Sequence, residues 1–165
     1  MPIAEVLATL ERALQRGVEV VVLVPTQLEE AIPDAAGRHP FDLLAAVRRY
    51  PNFTLAGIAG RNPRGGRSNI YVHDKIMLVD DAWATIGSCN LHRYSLFGHS
   101  ELNATVWDSG MVQALRCKLL AEHLGQDTTP LDDIAALRLY RQIAEQNRRK
   151  RDAGDAAWQG LAIAL

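Results

Sequence analysis

The residues best suited to chemistry lie between positions 71 and 107, in the stretch YVHDKIMLVDDAWATIGSCNLHRYSLFGHSELNATVW. His73 and Lys75 stand two apart, Asp80 follows, then Gly87, Ser88 and Asn90, and Glu101 comes further on. Histidine moves protons near neutral pH and can also act as a covalent nucleophile. Lysine is a compact positive donor for a phosphate oxygen, and asparagine adds a neutral amide donor. Fixed donors of this kind stabilise the charge that spreads over phosphate oxygens during phosphoryl transfer. Two-metal phosphodiesterases need several carboxylates around the ions. No such acidic cluster accompanies the cationic set, so the expected chemistry is metal-independent and needs no cofactor.

These side chains have to be brought together by strands. On a strand, residues two apart share a face. An extended run over 70–79 turns His73 and Lys75 to one side, with Met77 and Val79, and Asp74, Ile76 and Leu78 to the other. A tight turn at Asp80–Asp81 and a second strand over 84–86 then return Gly87, Ser88 and Asn90 towards His73. Glu101 opens a further strand over 101–107.

Around this centre the pattern alternates helix and strand. Ile3, Val6, Leu7, Leu10 and Leu14 recur at helical spacing up to Gly17, and a β-branched apolar run over 18–24 follows. A loop is expected over 26–40, with a short helical piece at 27–31, then a helix over 41–50 and a strand over 53–59. The stretch 60–69, rich in Gly, Arg and Asn, reads as an exposed, mobile loop. Helices are expected over 111–124, stopped by Gly125, and over 131–149. The fold class is α/β: a mixed, largely parallel sheet flanked by helices. Two regions are expected, a catalytic one over 1–127 and a helical extension over 128–165. A crossover helix normally has a strand before it as well as after it. The chain opens on a helix without one and ends on the apolar run WQGLAIAL, so it reads as truncated at the N-terminus and cut from something longer.

Composition excludes a few classes. With 165 residues, 48% of them apolar, and a formal net charge of −1, the chain is neither a disordered tail nor a strongly basic nucleic-acid binder. Cys89 and Cys117 make no disulfide framework. No signal peptide or membrane-spanning stretch is visible, and the expected location is cytoplasmic or peripheral to a membrane.

The spacing His73-x-Lys75-x-x-x-x-Asp80, followed by Gly87-Ser88-x-Asn90, resembles the motif of the phospholipase D superfamily. Arg93, Ser95 and Glu101 fit the same pattern, and RGVEVVVLVP and AEHLG are similar to bacterial cardiolipin synthase-like members. The resemblance implies a phospholipase D-like fold and a two-step reaction in which two such motifs enclose one site. One histidine forms a phosphohistidine. The other protonates the leaving oxygen and then activates water or an alcohol. Carried over, His73, Lys75 and Asp80 are the catalytic set, with His73 as nucleophile or general acid. The C-terminal character of this copy favours the acid. Lys75, Asn90 and Ser88 bind phosphate, while Asp80 and Glu101 support the site, Glu101 by orienting a histidine. Only one motif is present: none of His39, His92, His99 and His123 has a lysine two residues on. The second half-site must come from a longer chain or from a homodimer partner.

The implied substrate is a phospholipid or another phosphodiester, with peripheral membrane contact. Two other readings stand beside this one: a homodimeric phospholipase D-type nuclease, against which the near-neutral composition counts, and a catalytically silent binding or assembly module. Bland readings attach to single residues. Asp80 is also a plausible turn aspartate, and Ser88 and Asn90 plausible turn residues. Arg61, Arg64 and Arg67 suit a solvated loop, and Arg148 to Arg151 suit the C-terminus of a helix.

Overall fold

A computed structural model of the chain describes residues 4–26, 44, 46–91 and 93–165. In chain order the elements are α1 (Ala4–Gln15), β1 (Val20–Leu23), β2 (Phe53–Arg61), β3 (Arg67–Ile70), β4 (Ile76–Val79), β5 (Trp83–Gly87), α2 (Arg93–Phe97), β6 (Asn103–Val106), α3 (Ser109–Leu124), α4 (Asp133–Asp152) and β7 (Ala162–Ala164). Beyond Thr26, the loop expected over 26–40 and its helical piece at 27–31 lie outside the described residues, as does the start of the helix expected over 41–50. Residues 46–48 are helical.

The strands form two sheets. In the first, β2 pairs in parallel with β1 and antiparallel with both β3 and β7. In the second, β4, β5 and β6 form an antiparallel meander. The architecture is α/β with mixed strand directions, as expected, but the sheet is not largely parallel. Among the described residues, β1–β2 is the one parallel ladder. A continuous apolar run shows that a strand is buried on both faces, and says nothing of its neighbour's direction.

The strand expected over 70–79 is divided between the two sheets. Ile70 pairs with Ile58 in the first and Ile76 with Ile86 in the second. Residues 71–75 cross between them and belong to no strand. His73 and Lys75 therefore sit on the bridge. Period-two patterning continues across such a bridge and cannot reveal the change of partner.

The arginine-rich stretch is a β-hairpin rather than a mobile loop. Arg67 explains much of its order. Its guanidinium lies 5.0 Å from the Trp158 ring and donates to the carbonyls of Trp158 (2.7 Å) and Gly160 (2.8 Å). A planar fork with five donors suits such a set of carbonyls, and it stacks well on an indole. Arg67 thus clamps the C-terminal segment to the first sheet.

That segment is part of the core. Ala136, Tyr140, Ile143, Ala144 and Asn147 recur along one face of α4 and are buried. Tyr140, Ile143, Ala162 and Ala164 pack with Ala56, Leu120 and Leu124 in one cluster. Each buried Leu or Ile there contributes about 1.5–3 kcal/mol of apolar transfer. Asn147 is satisfied on both sides of its amide, donating to Gln159 and Ala162 carbonyls (2.7 Å each) and accepting from the Gln159 N–H (3.1 Å). The apolar C-terminal run is therefore covered, as strand β7 between β2 and α4. Residues 128–165 share one core with the residues before them.

The second sheet docks on α3. Ala84 of β5 is buried. Arg116 of α3, 4% exposed, makes a bidentate bond to Asp81 at 2.7 and 2.8 Å. Asp81 raises the guanidinium's pKa in return. The turn itself is tight: the Ala82 N–H reaches the Val79 carbonyl at 3.0 Å, with Asp80 and Asp81 at φ 51° and 50°. Aspartate is among the residues that tolerate this left-handed region.

Removing one partner of a buried pair leaves the other charge without its counter-ion. Arg116→Ala is expected to cost about 3 kcal/mol in urea unfolding. A loss below about 1 kcal/mol would show that the pair does not anchor the sheet.

Candidate functional site

In an antiparallel meander the start of the first strand, the end of the second and the start of the third lie at one edge. Here those positions are Lys75 just before β4, Ser88 just after β5, and Glu101 just before β6. The backbone closes the set: the Gly87 N–H donates to the Lys75 carbonyl (3.1 Å), and the Ser88 N–H to the Leu102 carbonyl (3.0 Å). Gly87 is required by this closeness. A Cβ there would run into the Asn103 side chain and the Leu102 carbonyl.

The Ser88 hydroxyl donates to Glu101 Oε2 at 2.5 Å and accepts from the Leu102 N–H at 3.1 Å. Its hydrogen-bonding is directed to Glu101 and the start of β6. Hydrogen bonds from Ser88 first, then from Ser95, hold the Glu101 carboxyl below the usual range, and the positive fields of His99 and Lys75 act in the same direction. The Lys75 amine donates to the His73 carbonyl at 2.5 Å, and the His73 ring stacks on Tyr71 at 6.1 Å. His73 and Asn90 are both exposed, Asn90 on the stretch that joins β5 to α2.

Asp80 is at the opposite end. It occupies the β4–β5 turn, five residues beyond Lys75 along an extended chain, a distance of about 16 Å. The structure brings Lys75, Ser88 and Glu101 together, with His73 beside Lys75 and Asn90 close in sequence to Ser88, and leaves Asp80 apart.

Two participants escape a reading of the sequence, Asn103 and His99, while Ser95 belongs to the pattern already read there. Asn103 accepts from the Cys89 N–H (3.2 Å) and donates to Thr85 Oγ1 (3.3 Å), tying the Ser88–Asn90 stretch to the sheet. Its place on a strand facing Gly87 was a faint signal. Ser95 is buried and donates to Glu101, and His99, stacked 5.9 Å from Tyr94, adds positive charge near it. Among the described residues no group of three or more His, Cys, Asp or Glu side chains forms a metal-ligand set. The sheet beside His73 and Lys75 is open: Met77 and Val79 of β4 are exposed, and Leu102 beside Glu101 is 82% exposed.

The family described as the phospholipase D-like domain of cardiolipin synthase matches residues 1–122. The chain belongs to this family. Its relatives include phospholipase D gamma 3 of Arabidopsis thaliana, 32% identical over 120 residues, which cover 62% of this chain and 14% of that protein. Cardiolipin synthase 1 of Staphylococcus epidermidis is 29% identical over 107 residues, 65% of this chain and 19% of that protein. The chain thus spans less than a fifth of the length of these curated relatives. Among solved structures, NucT from Helicobacter pylori shares the fold, with a TM-score of 0.51 at 15% identity over 68% of this chain and 66% of that one. No helix among the described residues is long and apolar enough to cross a membrane.

The Glu101 arrangement has a measurable consequence. Its lowered pKa means that the stabilisation is present above the ordinary carboxylate range and is lost as pH falls through the folded-state value. Ser88→Ala removes the largest cause, so the Glu101 carboxyl should titrate at higher pH, read by carbon-detected NMR. An unmoved titration would place the cause elsewhere.

Proposed function

We propose that this chain supplies one half of a metal-independent phosphodiester-transfer site that acts on phospholipids, as phosphodiesterase or phosphatidyltransferase. The observation that carries this reading is the convergence of Lys75, Ser88 and Glu101 at one edge of the second sheet, next to His73 and Asn90. Membership of the phospholipase D-like family supports it.

In this reading Lys75 and Asn90 donate to the non-bridging oxygens of the phosphate. The histidine of the second half-site attacks phosphorus, and the P–O bond to the leaving alkoxide breaks. His73, as general acid, gives its proton to that alkoxide oxygen. It then takes a proton from water or an alcohol, whose oxygen attacks the phosphohistidine and releases the second histidine. Hydrolysis and transfer differ only in which acceptor arrives. Glu101, held by Ser88 and Ser95, supports the cationic side of the site, and Asp80 shapes the hairpin from its far end.

The open face bearing Met77 and Val79 supports a second half-site lying against this one. That half comes from a longer chain or from a second copy. Near-neutral charge favours a lipid over a nucleic-acid substrate.

In the complete assembly, His73→Ala is expected to lower turnover of a phospholipid by at least about 10²-fold, the scale of lost acid–base catalysis, with its unfolding curve unchanged. Activity should survive EDTA. Turnover retained by His73→Ala would refute the role of His73, and loss with EDTA that is restored by a divalent ion would refute the metal-independent chemistry.

A further inference from the structure

The arginines of the β2–β3 hairpin and the basic end of α4 take no part in the chemistry above, yet the fold brings them together. Residues 61–67 form the end of the hairpin, with Arg61 directly opposite Arg67 in the ladder. Like charges facing each other across two strands are destabilising. Arg67 is explained by its bonds to the C-terminal segment. Arg61 is not: its side chain and that of Arg64 are exposed and enter no ion pair among the described residues. The turn between them is ordered. The Asn62 carboxamide accepts from the Arg64 N–H (3.0 Å) and donates to Ser68 Oγ (3.0 Å), and the Gly65 N–H reaches the Asn62 carbonyl (2.9 Å). Asn62 thus holds the backbone that carries both arginines.

The end of α4 lies against the same C-terminal segment. Arg67 Nε donates to the Ala156 carbonyl at 3.4 Å, and the Lys150 amine donates to the next carbonyl, that of Ala157, at 2.6 Å. Two cations from distant parts of the chain therefore hold adjacent carbonyls. That places the last turn of α4, with Arg149, Lys150 and Arg151, beside the hairpin. The carboxylates next to this turn in the sequence are Asp152 and Asp155. Asp152 pairs with Arg151 at 3.0 Å, and Asp155 accepts from the Ala157 N–H at 2.8 Å. In a chain of net charge −1 this face is a local excess of positive charge.

We infer that the β2–β3 hairpin and the last turn of α4 together form a face that docks on an anionic lipid surface. The inference rests on the proposed function for its choice of lipid, because a chain acting on phospholipids has to reach them at a membrane. Cations are drawn to anionic headgroups, and several together make adsorption stable. Between Arg61 and Arg67 stand Pro63, Gly65 and Gly66, with no large apolar group to insert. Attachment is electrostatic, spread over many headgroups rather than gripped at one. A nucleic-acid strand would call for exposed rings on which bases stack. Trp158, the ring that lies at this face, is 8% exposed, with Arg67 stacked on it. Arg67 and Lys75 are eight residues apart, so at most about 29 Å separates the docked face from the proposed phosphate site.

The test is co-sedimentation of the chain with vesicles of phosphatidylcholine alone, or of equal parts phosphatidylcholine and phosphatidylglycerol. It compares the unmodified chain with Arg61→Gln/Arg64→Gln, Arg64→Gln, Arg61→Lys/Arg64→Lys and Lys75→Ala. The unmodified chain should bind the mixed vesicles, not the zwitterionic ones, and should release them as salt is raised. Each cation near an anionic surface contributes about fivefold, so Arg61→Gln/Arg64→Gln should bind about 25-fold more weakly. Arg64→Gln alone should lose about fivefold, and it serves if the double variant folds poorly. The lysine variant keeps both charges and should bind like the unmodified chain.

No binding, or equal binding to both kinds of vesicle, would overturn the inference. So would binding lost in Lys75→Ala and unchanged in Arg61→Gln/Arg64→Gln, which would put the lipid contact at the phosphate site. Tighter binding to a single-stranded oligonucleotide, weakened by the same two substitutions, would overturn it in favour of nucleic acid. In the complete assembly, Arg61→Gln/Arg64→Gln should turn over a dispersed short-chain phospholipid at the unmodified rate. A lowered rate there would place the two arginines in the reaction and overturn the docking role. Absence of that turnover in the unmodified assembly would refute the proposed function and, with it, the reason for choosing lipid.

Discussion

The bidentate bond between Arg116 and Asp81 is the contact on which the site depends most. The three-stranded sheet is small, and much of its surface is open: Met77, Val79, Ile76 and Ile86 are all exposed. A sheet of three short strands needs a helix against one face to hold its shape. Here α3 provides that support through the buried Ala84 and the Arg116–Asp81 pair. The pair grips the turn, and the turn fixes the register Val79 opposite Trp83. Register in turn decides which residues arrive at the other edge. A slip of one residue would carry Lys75 to the opposite face from the one described.

The proposed phosphate site is an edge effect of that register. Three chain segments meet where the meander's strands begin and end, and short polar side chains hold them there. Ser88 spans from β5 to Glu101 and Leu102, and Asn103 spans from β6 to Cys89 and Thr85. These bonds occupy hydroxyl and amide groups in holding the frame, while Lys75, His73 and Asn90 stay at its margin. In the proposed function such a division separates supporting from contacting groups, as a preorganised site requires.

Much of this was legible before the structure because it depends on neighbours in sequence. The turn at Asp80–Asp81, the hairpin that follows and the helical repeats of α1, α3 and α4 are local, and periodicity or turn chemistry shows them. The spacing from His73 to Asn90 carries the family likeness for the same reason. What was not legible joins distant residues. Arg67 finds Trp158 across 91 positions, and nothing in GRNPRGGRSN marks one arginine as a clamp. Arg116 meets Asp81 across 35 positions. The division of 70–79 between two sheets left no trace, since alternation is the same on both sides of the bridge. Asp80 lies apart from Lys75 because the four residues of β4 separate them, in keeping with the turn read there from the sequence.

The most direct test of the phosphate site is a crystal of this chain soaked with tungstate, a heavy phosphate analogue located by its anomalous scattering. The arrangement described here predicts one dominant peak at the edge of the second sheet, in contact with the Lys75 amine and the Asn90 amide and within reach of His73. A peak confined to the arginines of the β2–β3 hairpin or to the basic end of α4, with none at Lys75, would contradict it.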